Sequence, residues 1–147
     1  MDDSLRHRPS HILLIEDNRG DVELVKLAFQ HAGIHFDLAV LQDGGEALLL
    51  IRRAGKYAHT PVPDLIILDL NLPKNDGFEV LEAIRDAPDY AEVPVLVLSS
   101  SSSERERQRM TVLPVARHLT KPTDLDELMR IGTVVKELLA KQKARKT

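Results

Sequence analysis

The chain has no cysteine and no tryptophan. No disulfide therefore holds the fold, and no thiol serves as nucleophile or metal ligand. Aromatic residues are only 3% of a chain that is 43% hydrophobic, so Leu, Val and Ile have to fill the core. No apolar run is long enough to span a bilayer, and residues 1–8 lack the apolar stretch of a signal peptide. A cytoplasmic protein without membrane contact is expected. Neither sign of charge dominates: 20 basic and 23 acidic residues give a formal net charge of -3, which argues against nucleic acid as the main partner. Internal repeats are absent, and the only low-complexity stretch is the serine run at 99–103. At 147 residues a single domain is expected, with its core at about 10–141 between short tails.

What is present is an alternation of short apolar runs with helical patterns, the signature of a parallel sheet. Strand one is expected at 11–15, helix one at 21–33 with Asp21 as N-cap and Gly33 as C-cap. An alternating edge strand follows at 36–40, then helix two at 45–54. Pro61 and Pro63 precede strand three, 65–68; Asp76 is expected to cap helix three, 77–86; strand four is 95–98. Between 104 and 112 the run Glu104-Arg105-Glu106-Arg107-Gln108-Arg109 has no apolar face, so helix four is expected to be short and mobile. A short strand five at 116–119 and helix five at 124–141 complete the pattern.

The apolar runs end in chemistry. Ile12-Leu13-Leu14-Ile15 ends in Glu16-Asp17, Leu65-Ile66-Ile67-Leu68 in Asp69, Val95-Leu96-Val97-Leu98 in Ser99-Ser100, and the last strand leads to Lys121-Pro122. Taken singly, each is ordinary, a helix-start charge or a turn former. Together they put three carboxylates, a hydroxyl and an ammonium at the C-terminal ends of parallel strands, where open α/β sheets bind ligands. Mg²⁺ takes oxygen ligands, typically one or two carboxylates with water and phosphate, and Glu16, Asp17 and Asp69 provide them. An Asp carboxylate can also form an acyl-phosphate, with Lys121 neutralising the phosphoryl oxygens.

These motifs, Ile-Leu-Leu-Ile-Glu-Asp-Asn, Asp-Leu-Ile-Ile-Leu-Asp-Leu-Asn-Leu-Pro, Val-Leu-Val-Leu-Ser and Leu-Thr-Lys-Pro, strongly resemble the receiver domain of two-component response regulators. The resemblance implies a doubly wound five-stranded parallel sheet of order 2-1-3-4-5. It implies Asp69 as phosphoacceptor, and Mg²⁺ held by Glu16, Asp17, Asp69 and the backbone carbonyl of Asn71. Ser99 becomes the switch hydroxyl and Lys121 its partner at the phosphoryl group. The donor is then a sensor histidine kinase, and the receiver acts by protein contact or onward phosphotransfer rather than as a conventional enzyme. Asp43-Gly44-Gly45-Glu46-Ala47-Leu48, Gly55-Lys56-Tyr57 and the turn Leu72-Pro73-Lys74 further resemble single-domain regulators paired with bacterial phytochromes, which implies a red-light-sensing kinase. One departure is His118, at the switch position where the family usually has Tyr or Phe. The rival reading, a small Mg²⁺-dependent phosphohydrolase with an Asp nucleophile, expects a second Asp two positions on, where this chain has Asn71.

Helix five carries a stripe of Leu125, Leu128, Gly132, Val135 and Leu139, widened by Ile131, Val134 and Leu138. The arc covers roughly half the circumference, more than the ~100° a core contact requires. Ile131, Val134 and Leu138 are therefore expected on an interface. By the family resemblance, this is a homodimer built on helix four, strand five and helix five.

Overall fold

The computed structural model describes residues 8–72, 77–100, 104, 108, 109 and 114–146. Five parallel strands lie in the order β2-β1-β3-β4-β5: β1 (Ser10–Ile15), β2 (Phe36–Leu41), β3 (Leu65–Asp69), β4 (Val95–Ser99) and β5 (Arg117–Thr120). Helices α1 (Arg19–His31), α2 (Gly44–Ile51) and α3 (Gly77–Asp86) and a long C-terminal helix (Leu125–Lys146) cover its faces. This is the doubly wound sheet expected from the sequence. Strand alternation divides the core in two. Leu13, Ile15, Ile66, Leu68, Val95 and Val97 face α2 and α3. Ile12, Leu14, Leu65, Ile67, Leu96 and Leu98 face α1 and the C-terminal helix. Every residue of β3 and β4 is buried, which is why those runs show no polar alternation. Edge strand β2 alternates between half-buried and exposed positions along most of its length.

Several helix boundaries differ from expectation: the first helix ends at His31 with Ala32, not Gly33, as its C-cap, and the last runs on to Lys146. Asn18, not Asp21, caps α1, its side chain accepting from the Asp21 N–H at 3.0 Å. Asp43 caps α2 by accepting from the Glu46 N–H, so that helix begins at Gly44 and ends at Ile51. Its chain reversal uses Arg53 at a positive φ of 55°, where the guanidinium is held by Asp89 at 2.8 Å. Asp76 and most of the segment expected as helix four lie outside the described residues.

The main correction concerns the C-terminal helix. Ile131, Val134 and Leu138 are 1%, 4% and 8% exposed and belong to the core. The arc is wide because the helix packs on two neighbours at once, the sheet and α1. At Gly132 the backbones approach so closely that a Cβ would lie 2.5 Å from the Ala28 carbonyl oxygen. The surface patch that motivated a dimer through these three residues is therefore absent. No helix among the described residues is long and apolar enough to cross a membrane.

Val134→Glu tests this packing. It places a carboxylate in the buried apolar cluster between sheet and helices. We expect a loss of more than about 3 kcal/mol in denaturant unfolding. A variant of wild-type stability that differs only in oligomeric mass would contradict the buried placement.

Candidate functional site

The hydrogen-bond ladders continue one residue past the strand ends, which fixes where each functional side chain leaves the sheet. The Glu16 N–H donates to the Leu41 carbonyl at 2.9 Å, the Leu70 N–H to Leu98 at 3.0 Å, and the Lys121 N–H to Ser99 at 2.8 Å. In register, Asp69 pairs with Leu98 and Ser99 with Thr120. Glu16, Asp69, Ser99 and Lys121 thus gather at one edge, at the crevice between β1 and β3 where the chain's winding direction reverses. After Asp69 the chain still alternates. Leu70 and Leu72 turn into the core and Asn71 turns out. Gly77 lets α3 approach, since a Cβ there would meet the Leu70 backbone at 2.6 Å.

Glu16 and Asp69 are each 1% exposed, and Asp17 is exposed beside them. One carboxylate oxygen from each of the three lies within 4.8 Å of the others. The Lys121 ammonium sits against this cluster, 3.0 Å from Glu16 Oε1 and 3.2 Å from Asp69 Oδ2. Asp69 Oδ1 accepts the Asn71 N–H at 2.8 Å, so both oxygens of that carboxylate are oriented. Glu16 Oε2 accepts the Asn18 N–H at 3.2 Å.

Burial pushes the Glu16 carboxyl up to about 7, and the hydrogen bond and like charge from Asp69 push the same way. Burial by itself disfavours the Lys121 ammonium, but its hydrogen bonds to Asp21 and Glu16 and the charge of Asp69 prevail and hold its pKa above the usual lysine value. An acid pair that one ammonium only partly neutralises is a donor set suited to a divalent hard cation. Glu16, Asp17 and Asp69 are the side chains that fit it.

Six of the seven phosphoryl, metal and switch candidates from the sequence, Glu16, Asp17, Asp69, Asn71, Ser99 and Lys121, gather at this edge. Ser99 is fully buried at the end of β4. His118 is half-buried on β5, with Nε2 enclosed and no hydrogen-bond partner among the described residues. Two participants escaped the sequence reading. Asp21 contacts Lys121 Nζ at 2.9 Å, a partnership 100 residues apart in the chain. Ser100 donates from both N–H and hydroxyl to Asn71 Oδ1, each at 2.9 Å. The only sequence signal for Asp21 was its place one helical turn from the acid pair.

Comparison with known proteins bears on this arrangement. A family model described as the response regulator receiver domain matches residues 12–132. The response regulator Rcp1 of Synechocystis sp. is 40% identical over 123 residues, covering 84% of this chain and 84% of Rcp1. A solved structure of Rcp1 in its Mn²⁺-bound form aligns with a TM-score of 0.80 at 38% identity, over 89% of this chain and 95% of that one. The phosphorylated cyanobacterial phytochrome response regulator RcpA aligns with a TM-score of 0.81 at 37% identity, over 90% of this chain and 95% of that one.

The raised Glu16 pKa makes stability depend on pH. A carboxyl near 4.5 when unfolded and near 7 when folded binds its proton more tightly in the folded state. The metal-free protein should therefore lose about 2–3 kcal/mol as pH rises through that window. Glu16→Gln should flatten the fall, and saturating Mg²⁺ should reverse most of it. Thermal unfolding between pH 4.5 and 8 measures this, and a metal-free wild type that gains stability across the window would contradict it.

Proposed function

The chain belongs to the response regulator receiver domain family, and we propose that within it Asp69 accepts a phosphoryl group from a phosphohistidine of a sensor histidine kinase. The carrying observation is the Asp69 carboxylate, buried at a strand end, with one oxygen held by the Asn71 N–H and the other by Lys121. In the reaction the P–N bond to the kinase histidine breaks and an O–P bond to Asp69 forms. A divalent cation, Mg²⁺ in our reading, supplies positive charge against the phosphoryl oxygens when bound. Glu16, Asp17 and Asp69 would hold it with the Asn71 carbonyl, a reading supported by the existence of an Mn²⁺-bound form of the relative Rcp1. Lys121 follows the charge from the carboxylate to the phosphoryl group. The Ser99 hydroxyl donates to the new oxygens and draws the end of β4 inward, with His118 on neighbouring β5 responding.

Similarity to two regulators, one of them named for a phytochrome, supports a bacteriophytochrome as the kinase. Output then runs through protein contacts or onward phosphotransfer. The hydrolase alternative has no second carboxylate two positions after Asp69. Asn71 occupies that position, and its side-chain oxygen is committed to Ser100.

Intact-mass measurement after incubation with a small acyl-phosphate donor and Mg²⁺ tests the assignment. Wild type should gain one phosphoryl group, and Asp69→Asn should gain none. An equal gain in the variant would place the phosphoacceptor elsewhere.

A further inference from the structure

Lys121 offers three N–H donors and meets three carboxylates, but these differ in kind. Glu16 and Asp69 are almost wholly buried and belong to the metal-ligating cluster. Asp21 lies outside that cluster, its side chain is 34% exposed, and at 2.9 Å it is the nearest of the three. Its position is set by the helix it belongs to and not by the ammonium alone. Asp21 sits in the first turn of α1, with its N–H capped by Asn18, at the helix end that favours a negative charge.

When a divalent cation takes Glu16 and Asp69, it removes two of the ammonium's partners and repels the ammonium. The Lys121 side chain is only 20% exposed, so an ammonium left there without an acceptor carries much of the penalty of a buried unpaired charge. We propose that Asp21 is a positioning residue that receives the Lys121 ammonium while a divalent cation occupies Glu16 and Asp69. This deepens the function proposed above and rests on it. Asp21 keeps Lys121 beside the site, poised for the phosphoryl group, without the ammonium competing for the cation's ligands. Without Asp21, the carboxylates left to Lys121 among the described residues are the cation's own ligands, and the two cations exclude one another.

The consequence is a coupling that operates through Lys121. A charge at Asp21 also attracts Mg²⁺ directly through space, so one variant alone does not separate the two effects. A double-mutant cycle does. Mg²⁺ is titrated calorimetrically into wild type, Asp21→Asn, Lys121→Ala and the double variant, each checked for wild-type helical signal. Asp21→Asn should weaken Mg²⁺ binding about tenfold when Lys121 is present, the worth of one lost charged hydrogen bond. In the Lys121→Ala background the same change should cost no more than about twofold, the screened through-space effect. Asp21→Ser, which suits a first helical turn, should repeat the pattern and stands in if the Asn variant folds poorly. Equal factors in the two backgrounds would overturn the role of Asp21 while leaving the cation site intact. A wild type that binds no Mg²⁺ would overturn the proposed function and this inference together.

Discussion

Glu16 and Asp69 are held together, away from water, by a single lysine. Two buried carboxylates repel each other, and the chain tolerates them because Lys121 reaches back from the end of β5 and because Glu16 gives up part of its charge by a raised pKa. Each remedy is incomplete. The ammonium has a third carboxylate to serve, and a protonated Glu16 is stable only until pH or a metal removes the proton. A site with this unspent negative charge favours whatever brings positive charge to it. It also responds when Asp69 changes its own charge. On the proposed function, cation binding and phosphorylation would be two perturbations of this one electrostatic balance.

The rest of the fold supplies the rigidity that this balance requires. The strands that end in Asp69 and Ser99 are buried along their whole length, so a register slip would shift these polar ends relative to the sheet edge where the site forms. Ladder bonds extend past the strand ends to Glu16, Leu70 and Lys121, so each functional residue begins from a fixed backbone. Gly77 seats α3 against Leu70, and Asn71 ties the turn after Asp69 to Ser100. Asn18 does two things at once, capping α1 and donating its N–H to Glu16. The first helix is thereby referenced to the acid pair it follows.

The strands and the site carboxylates were legible in the sequence because each is local, an apolar run and then a polar residue at its end. Lys121 was legible for the same reason, whereas the strand order came only through the family resemblance. What escaped was set by neighbours far along the chain. Asp21 read as an N-cap because a helix-start acid is ordinary, and only the fold brings it to Lys121. The arc of Ile131, Val134 and Leu138 read as an interface because a single sequence does not reveal how many neighbours a helix has. Gly132, which permits the close approach to Ala28, was the one local hint of a second helix there. His118 was visible as a departure from the family pattern, and its enclosed, unpartnered Nε2 became visible only in three dimensions.

The central claim is that Lys121 is the group that trades the Asp69 carboxylate for a phosphoryl oxygen. Its most direct test is a crystal structure grown with Mg²⁺ and trifluoroberyllate, which mimics a phosphoryl group on a carboxylate. The account predicts the adduct on Asp69, the Lys121 ammonium within hydrogen-bond distance of a fluorine, and the Ser99 hydroxyl turned toward another. An adduct on a different residue, or Lys121 still bound to Glu16 and Asp69 as it is without the adduct, would contradict it.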